Sequence, residues 1–193
     1  MAHILAILLS VILVNNVILA QFLGICPFLG VTKKLDSSLG MGAAVTFVML
    51  LATIVTWPIQ QVLDSYNIGY LQTIVFILVI ASLVQLLEMF LKKNIPALYK
   101  SLGIYLPLIT SNCAVLGVTI NNIDYGYNYL EAIINSIGTG IGFTLALVIF
   151  SGVRGKLEAN EAIPTYLKGI PITLISASIL ALAFMGFGGL VKL

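Results

Sequence analysis

The chain has 193 residues, 60% of them hydrophobic and 8% charged, and a net charge of +2. Soluble domains carry about 25% charged residues, so this composition excludes an ordinary soluble domain and indicates an integral membrane protein. There is no basic run to suit nucleic acid, and two cysteines are too few for a disulfide framework.

A membrane-crossing helix needs about 20 apolar residues. Six runs qualify: Ile4–Val31, Leu39–Val62, Ile68–Leu91, Leu102–Thr119, Leu130–Val153 and Gly169–Val191. The N-terminus lacks a basic region, so the first run reads as a retained span rather than a cleaved signal. Helices are expected throughout, because backbone polar groups in lipid must be satisfied within the segment. Two runs are irregular. The first carries Asn15, Asn16, Gly24, Pro27 and Gly30, and the fourth carries Pro107, Asn112 and Gly117. Both are expected to be broken helices.

The basic residues set the orientation. Lys33 and Lys34 follow span one, Lys92, Lys93 and Lys100 follow span three, and Arg154, Lys156 and Lys168 follow span five. The opposite side holds Lys192 with Asp64, Asp124 and Glu131. The positive-inside rule makes the basic side cytoplasmic and places both termini outside.

The two cysteines open copies of one phrase, CPFLGVT at Cys26–Thr32 and CAVLGVT at Cys113–Thr119. Two further blocks repeat in the same order. SLGMGAAVT (Ser38–Thr46) matches SIGTGIGFT (Ser136–Thr144), and ASLVQLLEM (Ala81–Met89) matches ASILALAFM (Ala177–Met185). The offset lengthens between the first and second blocks, which places an insertion in the Asn121–Tyr129 region. Three spans per half invert the second half. The expected fold is an all-α membrane protein: one integral domain over 1–193, built from six transmembrane helices. They form two inverted three-helix repeats, about 1–95 and 96–193, with discontinuous helices one and four carrying the cysteines. In such folds binding sites lie near the midplane, on the broken helices.

Cys26 lies about 10 Å from its basic edge, and Cys113 about 12 Å from the opposite edge, at 1.5 Å per helical residue. Both therefore sit well inside the membrane, and the inverted pair should face each other. Three readings compete for them: packing as small hydrophobes, a disulfide, and metal ligation, for which soft thiolates select iron–sulfur clusters, zinc or copper(I). Two thiolates leave a [2Fe–2S] cluster, which takes four, under-ligated. A cluster would therefore need a partner with two more cysteines. His3 reads as a solvated terminal residue.

Glu88, near the inner end of span three, reads either as a helix-end acid paired with Lys92 or as a station on a cation path. Its repeat-mate is Phe184, so the acid is not part of the symmetric framework. Asn15, Asn16, Thr110, Ser111 and Asn112 are expected to satisfy backbone groups at the breaks. Gly40, Gly42, Gly138, Gly140 and Gly142 read as close-packing faces, and Trp57 as an interfacial anchor. No catalytic triad, phosphate loop or dinucleotide fingerprint is present.

The stretches FLGICPFLGVTKKLDSSLGMG, LGIYLPLITSNCAVLGV and AFMGFGGLVKL resemble the family of A-type subunits of Rnf complexes over essentially the whole chain. They are similar, less closely, to the E-type subunit of the sodium-translocating NADH:quinone reductase. The resemblance implies a membrane subunit of a ferredoxin:NAD+ oxidoreductase that moves Na+ or H+ across the bacterial inner membrane. The chain alone would hold no complete active site. The resemblance also implies a paralogous partner, the E-type Rnf subunit, in the opposite orientation, together with the B, C, D and G subunits. The pair would share an intramembrane [2Fe–2S] cluster with two cysteines from each partner, here Cys26 and Cys113, relaying electrons and helping to couple them to ion movement. Glu88 matches a position where relatives carry an acid linked to sodium uptake. The rival reading is a cofactor-free inverted-repeat transporter subunit whose cysteines only pack.

Overall fold

The computed structural model describes residues 7–32, 35–94, 106–159, 164 and 166–186. His3, Lys33, Lys34, Lys100 and Lys192 lie outside the described residues. Among the described residues every regular element is helical. A π-helical turn at Ser10–Val14 leads into α1 (Ile25–Val31). Next come α2 (Leu35–Ser65), a 3-10 turn at Gly69–Leu71, and α3 (Gln72–Asn94). The short α4 (Leu106–Thr110) precedes α5 (Cys113–Asp124), α6 (Tyr129–Glu158) and α7 (Ile170–Met185). Among the described residues, three stretches are long and apolar enough to cross a membrane: Leu35–Ser65, Gly69–Phe90 and Tyr129–Glu158.

The longest helices, α2 and α6, form the central antiparallel pair. They supply Met41, Val45, Val48, Met49 and Ala52 on one side and Phe143, Ala146, Leu147 and Phe150 on the other, all buried. Their approach is close because glycines face threonines reciprocally. A Cβ at Gly42 would lie 2.5 Å from Thr144 Oγ1, and one at Gly140 would lie 2.5 Å from Thr46 Cγ2. Each threonine hydroxyl donates to the carbonyl one turn back in its own helix, Thr46 to Gly42 at 2.7 Å and Thr144 to Gly140 at 2.8 Å. The polar group is thus satisfied inside the contact. Further along, the Thr53 and Ser136 hydroxyls share a hydrogen bond at 2.6 Å. Gly138 and Gly142 admit the first segment: added Cβ atoms would meet Leu8 Cδ2 at 2.9 Å and Ile12 Cα at 3.2 Å. Gly40 departs from the packing expectation, since nothing lies within 4 Å of its Cβ position.

On the outside, α3 turns Ile74, Leu78, Leu86 and Phe90 outward and α7 turns Ile170, Ile179 and Leu182 outward. This is the surface required of a chain whose solvent is hydrocarbon. One boundary differs from expectation. Run four is helical five residues beyond Thr119, through Asp124. The expected insertion is thus partly helix. It continues because Asn122 is buried with its amide satisfied: Nδ2 donates to Ser136 Oγ at 3.2 Å, and Oδ1 accepts from Asn135 at 2.6 Å. Trp57, expected as an interfacial anchor, is tied to protein, donating to the Tyr127 carbonyl at 3.2 Å and meeting Tyr129 edge-on.

Gly42→Ala should destabilise the chain by about 1–3 kcal/mol through overpacking, read as a lowered thermal midpoint in detergent. Adding Thr144→Ala should recover most of the loss. Gly40→Ala is the control, with an effect within about 0.5 kcal/mol.

Candidate functional site

Both irregular runs break where they were expected to, and the breaks meet. The first run loses its helix after Val14 and regains it at Ile25. Within the gap Phe22 has φ 56° and Gly24 φ 82°. Left-handed backbone is rare for a side chain as large as phenylalanine, so the gap is a held conformation. Asn16 holds it. Its Nδ2 donates to the Gly142 carbonyl at 2.8 Å and to the Ile12 carbonyl at 3.2 Å, while its Oδ1 accepts from Ile18 N–H at 3.1 Å. In the fourth run the break falls at Ser111–Asn112, and Asn112 Oδ1 caps α5 by accepting from Ala114 N–H at 3.0 Å. Asn16 and Asn112 thus satisfy backbone groups freed by the breaks, as the sequence led us to expect.

Gly24 joins the two breaks. Its N–H donates to Cys113 Sγ at 3.0 Å. No larger residue fits, because a Cβ there would lie 2.9 Å from Phe143 Cε2 and 3.2 Å from Asn112 Oδ1. Cys113 is the first residue of α5 and Cys26 the second of α1. From this meeting point the two half-helices run apart. The end of α1 reaches Arg154 near the C-terminus of α6, and the end of α5 reaches Asn135 and Ser136 near its N-terminus. The start of α5, with its inward N–H groups, favours negative charge beside Cys113.

Both cysteines are free and exposed on the surface of the chain. Among the described residues no group of three or more His, Cys, Asp or Glu side chains gathers as a metal set. Among the described residues the chain therefore offers two exposed soft donors, not a closed cage. One buried polar atom beside them has no partner, the Nδ2 of Asn112. Glu88 lies half-buried in α3, one turn before Lys92.

Arg154 was legible only as a marker of orientation. In the structure it is buried, and it anchors the end of α1: Nη1 donates to the Leu29 carbonyl at 2.6 Å and to Thr32 Oγ1 at 3.1 Å. Its Nε pairs with Glu158 at 3.1 Å. A cation at the C-terminal end of a helix satisfies orphan carbonyls and complements the dipole. The available signal was that this is the one arginine of the chain. Phe28, two residues after Cys26, stacks on Phe150 of α6 with centroids 4.2 Å apart. The cysteine-bearing half-helix is therefore fixed to α6 by a ring stack and an arginine clamp.

A family described as "Rnf-Nqr subunit, membrane protein" matches residues 4–191. The chain is 56% identical over 185 residues to the A-type subunit of the Na(+)-translocating ferredoxin:NAD(+) oxidoreductase complex of Acetobacterium woodii, covering 95% of this chain and 96% of that one. It is 55% identical to the A-type subunit of the ion-translocating oxidoreductase complex of Syntrophotalea carbinolica, covering 99% of each. It is 49% identical to the identically named protein of Shigella boydii, over the full length of both.

Arg154→Met should free the end of α1. Removing hydrogen bonds from a charged donor should cost about 1.5–3 kcal/mol each. The maleimide labelling rate of Cys26 should rise several-fold relative to Cys113. Equal rates in variant and parent would show that the clamp does not hold the half-helix.

Proposed function

Because the chain belongs to the Rnf–Nqr family of membrane subunits, we propose that it is the A-type subunit of an ion-translocating ferredoxin:NAD+ oxidoreductase complex. It is a multi-pass membrane protein, and in this reading it lies in the bacterial inner membrane with both termini outside. Six spans form two inverted repeats. The reciprocal contacts of Gly42 with Thr144 and Gly140 with Thr46 support this, because a two-fold axis makes residue i meet j and the mate of j meet the mate of i.

Cys26 and Cys113 supply two ligands of a [2Fe–2S] cluster, and the paralogous E-type partner supplies two more. The observation that carries this reading is the Gly24 N–H bond to Cys113 Sγ, which joins the two sulfur-bearing helix breaks, with both sulfurs exposed. The donor set fits half of a four-thiolate cluster. The partnerless Nδ2 of Asn112 fits as well, being a donor that an acceptor sulfur would satisfy. When bound, the cluster supplies one-electron redox chemistry inside the membrane. The residues of this chain would hold the thiolates in place, fix the first half-helix through the Phe28–Phe150 stack and donate a hydrogen bond from Gly24 to the Cys113 sulfur. The exposed sulfur face is covered by the paralogous partner, since uncovered thiolates would face lipid at high cost. The B, C, D and G subunits complete the assembly. Glu88 serves a cation path that enters from the basic side.

The test uses the intact complex purified from membranes. Cys26→Ser or Cys113→Ser should each abolish one [2Fe–2S] EPR signal and lower the iron content by two atoms per complex, with the remaining subunits still assembled. Retention of every signal and of full electron transfer in both variants would make the cysteines packing residues and favour a cofactor-free transporter subunit. Glu88→Gln should raise the half-saturating Na+ concentration for activity several-fold without changing that EPR signal.

A further inference from the structure

A cavity of about 400 Å³ lies beside the first break, and neither cysteine lines it. Its wall includes Ser10, Asn15, Gln21, Asn121, Asn135 and Thr139, and among the described residues no charged side chain lines it. It sits where the π-helical turn and the unwound stretch after it face α5 and α6, near the exposed Tyr125. Irregular backbone within a membrane domain is found where it lines a cavity or is buried in protein, and π-turns concentrate at functional sites.

The hydrogen bonds of this wall have a direction. Asn15 Nδ2 donates to Ser10 Oγ at 3.2 Å, and Asn121 Nδ2 donates to Gln21 Oε1 at 3.0 Å. Asn135 Nδ2 donates to Asn122 Oδ1 at 2.6 Å. The last orientation is locked, because Asn122 has already committed its own amide nitrogen to Ser136 Oγ. Three carboxamides thus direct an N–H into the wall, and their oxygens are not engaged in those bonds. The Oδ1 of Asn135, a residue 4% exposed, has no partner at all. A buried acceptor without a donor costs about 1–3 kcal/mol, and positive charge beside it offsets that cost, so a wall of outward-turned amide oxygens is suited to a cation.

We propose that this cavity is a binding site for a desolvating monovalent metal cation, held by neutral amide and hydroxyl oxygens with Asn135 as its central ligand. The proposal rests on the reading of the chain as part of an ion-translocating complex, and it assigns a station for the ion distinct from Glu88. Neutral oxygens suit a monovalent ion. Mg²⁺ and Ca²⁺ sites rely on carboxylates, and this wall contains none. The acids Asp124 and Glu131 stand at the same end of α5 and α6 and would raise the local concentration of cations.

Equilibrium binding of ²²Na⁺ to the purified intact complex tests it. Asn135→Leu, and separately Gln21→Leu with Asn15→Ala as a wall variant that leaves the buried Asn122 network intact, should each weaken binding at least tenfold. The cluster EPR signal should be unchanged in both. Unaltered Na+ binding in both variants, or no Na+ binding by the parent complex, would overturn the site and leave a water-filled vestibule. Either result is independent of the EPR outcome for Cys26→Ser, so the cavity can fail while the function stands.

Discussion

The close crossing of α2 and α6 is the constraint on which the other elements depend. In lipid, two apolar helices gain little from hiding from the solvent, so contact must come from close packing and internal hydrogen bonds. Gly42 and Gly140 remove the side chains that would hold the helices apart, and Thr46 and Thr144 fill the space while bonding to their own backbones. The pair then presents a stiff wall. Gly142 on that wall receives Asn16, and Phe143 receives Gly24. A broken helix can persist inside a membrane only if something else satisfies its backbone, and here Asn16 does so, held in place by its bond to the Gly142 carbonyl of the wall.

The breaks explain why the cysteines are where they are. A continuous helix would engage every N–H at this level in its own ladder. Interrupting the first run frees the Gly24 N–H to bond to sulfur on the other broken run. Interrupting the fourth places Cys113 at the start of a fresh helix, capped by Asn112. The two interruptions are offset locally by Asn16 and Asn112, with Arg154 closing the far end of α1. Polar residues are costly in hydrocarbon, and around the breaks they satisfy the backbone groups that a continuous helix would have paired.

Much of this was readable in the residues. The runs, the breaks at Asn and Gly, and the duplicated phrases follow from hydropathy and from rare residue types in matching order. The reciprocal glycine–threonine contact joins Gly42 with the mate of Thr46 and Gly140 with the mate of Thr144, so the SLGMGAAVT and SIGTGIGFT blocks face each other. What escaped were features with no periodic signature. The helical extension to Asp124 depends on Asn122 finding Asn135 and Ser136 across a turn, a tertiary match that single-residue polarity cannot show. The role of Arg154 depends on where the end of α1 arrives. Gly40 carried the same letter as its packed neighbours, yet it faces outward because helical phase, not composition, decides which glycines meet a partner.

The residues outside the repeat give the fold its direction. The cysteines, the Gly/Thr contacts and the paired breaks have mates in both halves, and a structure made only of these would treat its two ends alike. The departures from symmetry do not. By the offset of the second repeated block, Arg154 corresponds to Thr56 and Asn135 to Ser37, and by that of the third, Glu88 corresponds to Phe184. Arg154 clamps α1 while no cation stands at the corresponding position for α5, and the amide-lined cavity lies on the opposite end of the bundle from that clamp. Vectorial transport requires that an ion meet different surroundings on entering and on leaving. A symmetric scaffold can place a redox centre midway, but it cannot tell one side from the other. The unmatched charged and amide residues can, and they are where the chain departs from its own duplicated pattern.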